Sequence, residues 1–126
     1  MAGLTLDSGA LIGFDRQQRH VVAHVKAALL DGLALTVPTV VIAEVWRGGA
    51  RSARIARLLG TCILEALDPS LARDAGEALA RVRRATTIDA IVMASAAQRG
   101  DAVLTSDPRD LSRLRELFPT VRVVAI

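Results

Sequence analysis

Four acidic residues of this sequence stand where a carboxylate needs a partner: Asp7, Glu44, Asp89 and Asp107. A carboxylate that is withdrawn from water is costly unless it is paired, hydrogen-bonded or bound to a metal ion. Ligands made only of oxygen favour a hard divalent cation such as Mg²⁺ or Mn²⁺. An ion held in this way can activate water and neutralise the charge that develops on a phosphodiester.

Two of these acids follow predicted strands. Asp7 comes directly after the apolar segment Leu4-Thr5-Leu6, and Asp107 comes shortly after the apolar segment 102–104. In an open parallel sheet, ligands bind outside the carboxyl ends of the strands, which favours a site at both positions. Each acid also precedes a predicted helix, with Pro108 directly after Asp107. A simple N-capping role is therefore an alternative for both.

The other two acids lie in predicted helices. Glu44 is the only charge in residues 37–46, and Asp89 is the only charge in residues 86–97. Asp89 falls in the first turn of its helix, where the macrodipole stabilises an acid without any ligand. The alternative for Glu44 is an ion pair with an arginine of another helix. The hypothesis of a metal site therefore depends on all four acids facing one crevice.

The elements that would position these acids alternate between strands and helices. The predicted strands cover residues 4–6, 33–37, 62–67, 102–104 and 121–126. The predicted helices cover residues 8–30 with a break near Asp15, then 38–46, 50–59, 69–84, 86–98 and 107–118. Such alternation predicts an α/β fold whose mostly parallel sheet is covered on both faces. The length of 126 residues suits one domain, residues 1–126.

Composition indicates a soluble chain in a reducing compartment. Hydrophobic residues make up 52% of the sequence, yet no apolar run approaches the roughly 20 residues that span a bilayer. The first residues carry no basic segment typical of a signal peptide. Cys62 is the only cysteine, it is predicted to lie in a buried strand, and it cannot form an internal disulfide. These features favour a cytoplasmic protein without a membrane partner.

The basic residues are nearly all arginine, with Lys26 the only lysine and a formal net charge of +3. Arg47, Arg51 and Arg54 are predicted to share one helical stripe just after Glu44. Like charges at that spacing repel each other, and a polyanion would relieve the repulsion. The stripe is therefore interpreted as a contact for RNA phosphates, as a contact for an acidic protein segment, or as a solvated helix face.

Four segments, in order along the chain, resemble one known family. They are residues 4–12 (LTLDSGALI), 42–45 (IAEV), 88–90 (IDA) and 104–111 (LTSDPRDL). Together they resemble the PIN domain family, and within it the VapC-type toxins of bacterial toxin–antitoxin pairs. The resemblance covers essentially the full chain. It implies a PIN-like three-layer α/β/α fold with a five-stranded, mostly parallel sheet.

The resemblance also implies an activity and its partners. The family is a Mg²⁺- or Mn²⁺-dependent ribonuclease, whose catalytic residues and metal ligands fall on Asp7, Glu44, Asp89 and Asp107 of this sequence. Asp110 is an extra or substitute acid for this set. The implied partners are an RNA substrate, a second copy of the chain in a homodimer, and a cognate antitoxin that blocks the site.

The sequence departs from the resemblance at one position and leaves one rival function open. Ile88 stands where relatives often carry a polar residue beside the acid. The glycine-rich loop of a P-loop NTPase is absent. A haloacid-type phosphatase needs a second aspartate at the position of Gly9. The remaining rival is a non-catalytic module that binds RNA or a protein partner on the same fold, and metal-dependent cleavage would distinguish the two.

Overall fold

The structure is a computed structural model, and it describes residues 2–126. Met1, the first residue of the predicted domain, lies outside the described residues. The strands are β1 (Leu4–Leu6), β2 (Leu35–Pro38), β3 (Ile63–Glu65), β4 (Ala102–Thr105) and β5 (Arg122–Ala125). The helices are α1 (Ser8–Asp15), α2 (Arg19–Leu30), α3 (Thr39–Val45), α4 (Ala53–Leu59), α5 (Pro69–Arg81), α6 (Thr87–Arg99) and α7 (Pro108–Ser112), with a 3₁₀ turn at Gly49–Ser52.

The five strands form one sheet in the order β3-β2-β1-β4-β5, and every pair is parallel. Leu4 of β1 lies opposite Leu35 of β2 on one side and Ala102 of β4 on the other. The chain steps outward from β1 through β2 to β3, and then returns to place β4 on the opposite side of β1. The carboxyl ends of β1 and β4 therefore adjoin where the strand order reverses, which is where open sheets bind ligands.

Helices cover the sheet on both faces, as the alternation of elements predicts. Helix α1 packs against α2, α3 and α4, whereas α6 packs against α5 and α7 and lies on β1, β2 and β4. All residues from Ala90 to Ala96 of α6 are buried, because this stretch contains only apolar residues and one serine. The three-layer α/β/α fold is thereby confirmed. No helix within residues 2–126 is both long enough and apolar enough to cross a bilayer.

The third strand differs most from its prediction. It has three residues instead of six, and Ile63 and Leu64 are 57% and 48% exposed. Cys62 precedes the strand and is only partly buried, so its predicted place in a buried strand is wrong. The physical reason is topological. Strand β3 lies at the edge of the sheet and pairs only with β2, so an apolar segment there is not covered as a central strand would be.

The segment after β2 also differs from its prediction. Pro38 ends β2 rather than opening the helix, and α3 stops at Val45. Gly48 and Gly49 have positive φ angles of 81° and 61°. This left-handed backbone separates α3 from the 3₁₀ turn that follows. Arg47 therefore shares no helix with the arginines that follow it, and the predicted stripe is wrong at this residue. Its guanidinium instead donates to the carbonyl oxygens of the preceding turn.

A partly buried ionic network, which local sequence patterns do not reveal, ties α6 to the sheet. Arg99 donates to Asp101 at 3.0 Å, to the Thr5 hydroxyl at 2.7 Å and to Glu65. Thr5 in turn donates to Asp101 at 2.9 Å, and the Ser95 hydroxyl donates to Glu65 at 2.6 Å. These bonds join the end of α6 to β1, to β3 and to the start of β4.

We expect Arg99→Ala to lower the free energy of unfolding by about 3–5 kcal/mol, because it leaves the carboxylates of Asp101 and Glu65 without their cation. Asp101 is only 3% exposed. Urea denaturation monitored by circular dichroism measures the change. The matched control is Arg113→Ala, whose ion pair with Asp110 is 3.7 Å long and joins side chains that are 44% and 42% exposed. The control is expected to change stability by less than about 1 kcal/mol. Equal effects of the two variants would contradict a structural role for the network.

Candidate active site

Asp7 is the most buried of the four predicted site residues, with 8% of its surface exposed. It is the N-cap of α1, and its carboxylate accepts a hydrogen bond from the Ala10 amide at 2.9 Å. Burial raises the pKa of Asp7 from 3.8 to about 6, although hydrogen bonds from Thr105 and the Ala10 amide lower it in part. Asp7 therefore does cap α1, as the alternative predicts. The cap does not neutralise the charge of this buried carboxylate, however.

Gly9 allows the first turn of α1 to approach the segment that follows β4. A Cβ atom at Gly9 would lie 1.9 Å from Oγ and 2.8 Å from Cβ of Ser106, so any larger residue here would force one of the two segments to shift. The Asp7 amide also donates to the carbonyl oxygen of Leu104 at 3.3 Å. The first turn of α1 therefore lies directly against the segment that follows β4.

Asp89 lies in the first turn of α6, half-buried, where its backbone amide donates to the Thr86 hydroxyl at 3.1 Å. The pKa of Asp89 is raised, first by burial and then by repulsion from Asp110, Glu44 and Asp107. Asp89 in turn contributes to the raised pKa of Asp7. A role limited to the helix dipole would favour the ionised form. Burial is the largest cause of the raised pKa, and the nearby carboxylates add to it.

Glu44 is exposed, so its expected burial is wrong. Helix α3 has only seven residues, and it buries Val41 and Val45 but leaves Glu44 exposed. The alternative of an interhelical ion pair is not observed, because no ion pair within residues 2–126 includes Glu44. Its carboxylate nevertheless lies close enough to Asp89 to raise the pKa of that residue.

Asp107 is also exposed, and its side chain makes no capping hydrogen bond although it occupies the N-cap position of α7. Its backbone amide donates instead to the buried Thr105 hydroxyl at 2.9 Å. Asp110, one turn further along, is partly buried and repels Asp89 more strongly than Asp107 does. The sequence suggested Asp110 only as a possible extra acid, and the structure brings it to the same edge.

The electrostatic coupling links five acids at the carboxyl edge of the sheet. We call them the carboxylate cluster: Asp7, Glu44, Asp89, Asp107 and Asp110. Their donor atoms are all oxygen, and the two most buried members have no ion pair within the described residues, so the cluster fits a hard divalent cation. Across residues 2–126, however, no three His, Cys, Asp or Glu side chains are close enough to hold one ion as they stand. The exposed side chains of the cluster would have to rotate inward to complete a metal site.

We expect Asp7→Asn to stabilise the metal-free protein at pH 8 by about 2–3 kcal/mol, because asparagine keeps the cap of α1 but carries no charge. The pKa of Asp7 is raised in the folded state, so the native chain holds this proton to higher pH than the unfolded chain. Wild-type stability should therefore rise as the pH falls from about 7 toward 4, and Asp7→Asn should lack this share of the rise.

Thermal melts in EDTA at several pH values measure this effect. Asp68→Asn is the matched control, because exposed Asp68 caps α5 by accepting from the Leu71 amide at 2.8 Å. The control is expected to change stability by only a few tenths of a kcal/mol, roughly the difference between two good caps. An Asp7→Asn protein that melts below wild type at pH 8 would show that the charge of Asp7 is needed for folding.

Solved structures resemble this chain over nearly its whole length. They include VapBC2 from Rickettsia felis bound to a DNA fragment from their promoter, with a TM-score of 0.78, 10% identity and 98% of each chain covered. A toxin–antitoxin complex from Klebsiella pneumoniae gives a TM-score of 0.74 at 17% identity, with 98% of this chain and 100% of that chain covered. DNA-bound VapBC from Salmonella typhimurium gives 0.73 at 18% identity, with coverage of 99% and 98%. At these identities the likeness shows a shared fold.

Comparison of the amino-acid sequence with known proteins and families identifies the family of this chain. No curated protein matches the chain significantly. The sequence profile of the PIN domain family, in contrast, matches residues 4–117. That segment contains all five residues of the carboxylate cluster and strands β1 to β4. The match spans most of the sequence and agrees with the observed sheet, and the chain therefore belongs to the PIN domain family.

Proposed function

We propose that this chain is a Mg²⁺- or Mn²⁺-dependent endoribonuclease that acts as the toxin of a toxin–antitoxin pair. The observation that carries the proposal is the coupling of Asp89 to Asp7, Glu44, Asp107 and Asp110 beside the reversal of strand order. Acids whose pKa is raised by burial at a ligand-binding edge, as those of Asp7 and Asp89 are, are typical of a functional site. Membership of the PIN domain family supports a nuclease activity.

The proposal gives each acid a role. Asp7 and Asp89 are the fixed ligands, because the Asp7 carboxylate accepts from the Ala10 amide and Asp89 is half-buried at the start of α6. Glu44 and Asp107 are exposed, and they complete the ligand set by rotation. Asp110 is an additional acid at the same edge. When bound, Mg²⁺ or Mn²⁺ activates water and neutralises charge on the phosphodiester.

We expect purified protein to cleave single-stranded RNA with Mg²⁺ or Mn²⁺ and to lose this activity in EDTA. Asp7→Asn and Asp89→Asn should each lower the rate by at least about a hundredfold, since even residues that only orient metal ligands are typically worth about 10–100-fold. The products should carry a 5′-phosphate and a 3′-hydroxyl, because water rather than the ribose 2′-hydroxyl is the proposed nucleophile.

Gel analysis of end-labelled RNA measures the cleavage rate and identifies the chemical groups at the ends of the products. Asp74→Asn is the control, because exposed Asp74 lies on α5 outside the carboxylate cluster. Circular dichroism establishes that each variant is folded. Cleavage that persists in EDTA, or products that end in a 2′,3′-cyclic phosphate, would refute the mechanism.

A non-catalytic module that binds RNA or a protein partner is the second candidate. One observation favours it, namely that no three donor side chains within residues 2–126 already converge on one point. The same cleavage assay separates the candidates. A chain that binds a partner but never cleaves RNA with either metal would belong to the second class.

We also propose that the protein is a homodimer whose antitoxin inserts a basic side chain into the carboxylate cluster. Two neighbouring structures are toxin–antitoxin and VapBC complexes, which supports a protein partner of this kind. Co-expression with the product of the adjacent gene should suppress growth inhibition and RNA cleavage, because a cation would neutralise the clustered acids. Co-purification and light scattering measure the complex and the dimer. If the product of the adjacent gene neither binds this protein nor suppresses growth inhibition, the toxin role is refuted. The proposed nuclease activity would not be affected by that result.

A further inference from the structure

A strongly basic segment follows the cluster residue Glu44 along the chain. Residues 45–64 contain four arginines and no acid. Arg47 is used locally, because its guanidinium donates to the carbonyl oxygens of Glu44 and Trp46 at 3.0 Å and 2.7 Å. The other three arginines have no such backbone partner in their own turn, so their charges are directed elsewhere.

These three arginines share one cleft, which we call the basic cleft: Arg51, Arg54 and Arg57. Arg51 lies on the 3₁₀ turn and the other two lie on α4, and together they line a cavity of about 420 Å³. All three are exposed, and none forms an ion pair within residues 2–126. Arg54 is oriented by a 3.2 Å hydrogen bond to the carbonyl oxygen of Asp15, the only acid that lines the cleft.

We propose that the basic cleft binds the phosphate backbone of the RNA substrate, an inference that rests on the proposed ribonuclease function. The carboxylate cluster repels a polyanion, so affinity for RNA has to come from cationic surface outside it. Three uncompensated guanidiniums at successive turns repel one another, and a row of phosphates relieves that repulsion. Arginine suits this task because its planar fork forms paired hydrogen bonds with phosphate oxygens.

The basic cleft lies within reach of the carboxylate cluster. Helix α4 packs against α1, whose first turn is capped by Asp7 and whose last residue is Asp15. Eight helical residues span about 12 Å, so a few nucleotides of single-stranded RNA can bridge the two regions. Phosphates in the basic cleft would thus hold the strand across the edge where cleavage is proposed.

The lining of the cleft favours RNA over an acidic protein segment. Besides the arginines and Asp15 it contains only Ala50 and Ala53, with no large apolar side chain. Protein interfaces draw most of their affinity from aromatic and aliphatic anchors seated in such pockets. Contacts to a phosphate backbone need no apolar anchor, and they position the strand without reading its sequence.

The test measures RNA affinity in the Asp89→Asn background, which removes cleavage under the proposed function. A short labelled single-stranded RNA of mixed sequence is titrated by fluorescence anisotropy between about 50 and 200 mM salt. The test variant carries Arg51→Ala, Arg54→Ala and Arg57→Ala. The control carries Arg73→Ala, Arg115→Ala and Arg122→Ala, which are exposed arginines outside the basic cleft. Each triple variant removes three positive charges from this background, so the two differ only in where the charge is lost.

The test variant is expected to bind at least about tenfold more weakly, and the slope of log affinity against log salt should fall by about 2, which corresponds to three lost phosphate contacts. The control variant should keep the RNA affinity and the salt slope of the Asp89→Asn protein. Replacing the same three arginines of the basic cleft by lysine should restore most of the slope, which also excludes a folding defect. Equal losses in the test and control variants would overturn the proposal.

Three further outcomes distinguish failure of this inference from failure of the function on which it rests. Unchanged RNA binding combined with loss of a co-expressed protein partner would assign the cleft to that partner and overturn the RNA proposal. If the wild-type chain cleaves RNA and the test variant binds RNA normally, the ribonuclease function is supported and only the proposed role of the basic cleft is overturned. A wild-type chain that neither binds nor cleaves RNA would overturn both.

Discussion

Unneutralised negative charge at the carboxyl edge of the sheet is the constraint on which this arrangement depends. Asp7 is buried there with its pKa raised, and the pKa of Asp89 is raised by burial and by three neighbouring carboxylates. Such charge destabilises a folded chain unless other contacts compensate for it. The helix that carries Asp89 supplies part of this compensation. It buries seven consecutive residues against the sheet and its neighbouring helices, and at its far end Arg99 pairs with buried Asp101.

The order of the elements and two positions of the candidate site could be predicted from local signals. Acids that end apolar strands or open apolar helices identify Asp7 and Asp89 without knowledge of the fold. Glu44 shows the limit of this reasoning, since an apolar stretch around an acid does not imply that the acid itself is buried. Helix α3 is short and covers the core with two valines, which leaves Glu44 exposed. Whether these acids jointly hold a metal ion stays a prediction, because convergence depends on side-chain rotation that no sequence pattern encodes.

Features that join distant parts of the chain could not be predicted in the same way. The hydrogen bonds of Thr5 to Arg99 and Asp101 connect residues that are 94 and 96 positions apart. Periodicity describes only one element at a time, so it contains no information about such pairs. The same reason explains β3, whose apolar residues resemble those of a central strand although the topology places them at an edge. The contact between Gly9 and Ser106 likewise becomes visible only when β1 and β4 lie side by side.

The pairing of β1 with β4 also governs when the carboxyl edge can exist during synthesis. Leu4 lies opposite Ala102, so the central strand pair joins two segments that lie far apart along the chain, and β1 is synthesised well before β4. Asp107 and Asp110 are translated later still. Non-local pairings of this kind form slowly, because most of the chain has to be ordered before they are made. Until β4 has been synthesised, β1 has no partner on that side, so Asp7, Glu44 and Asp89 cannot share one edge with Asp107 and Asp110.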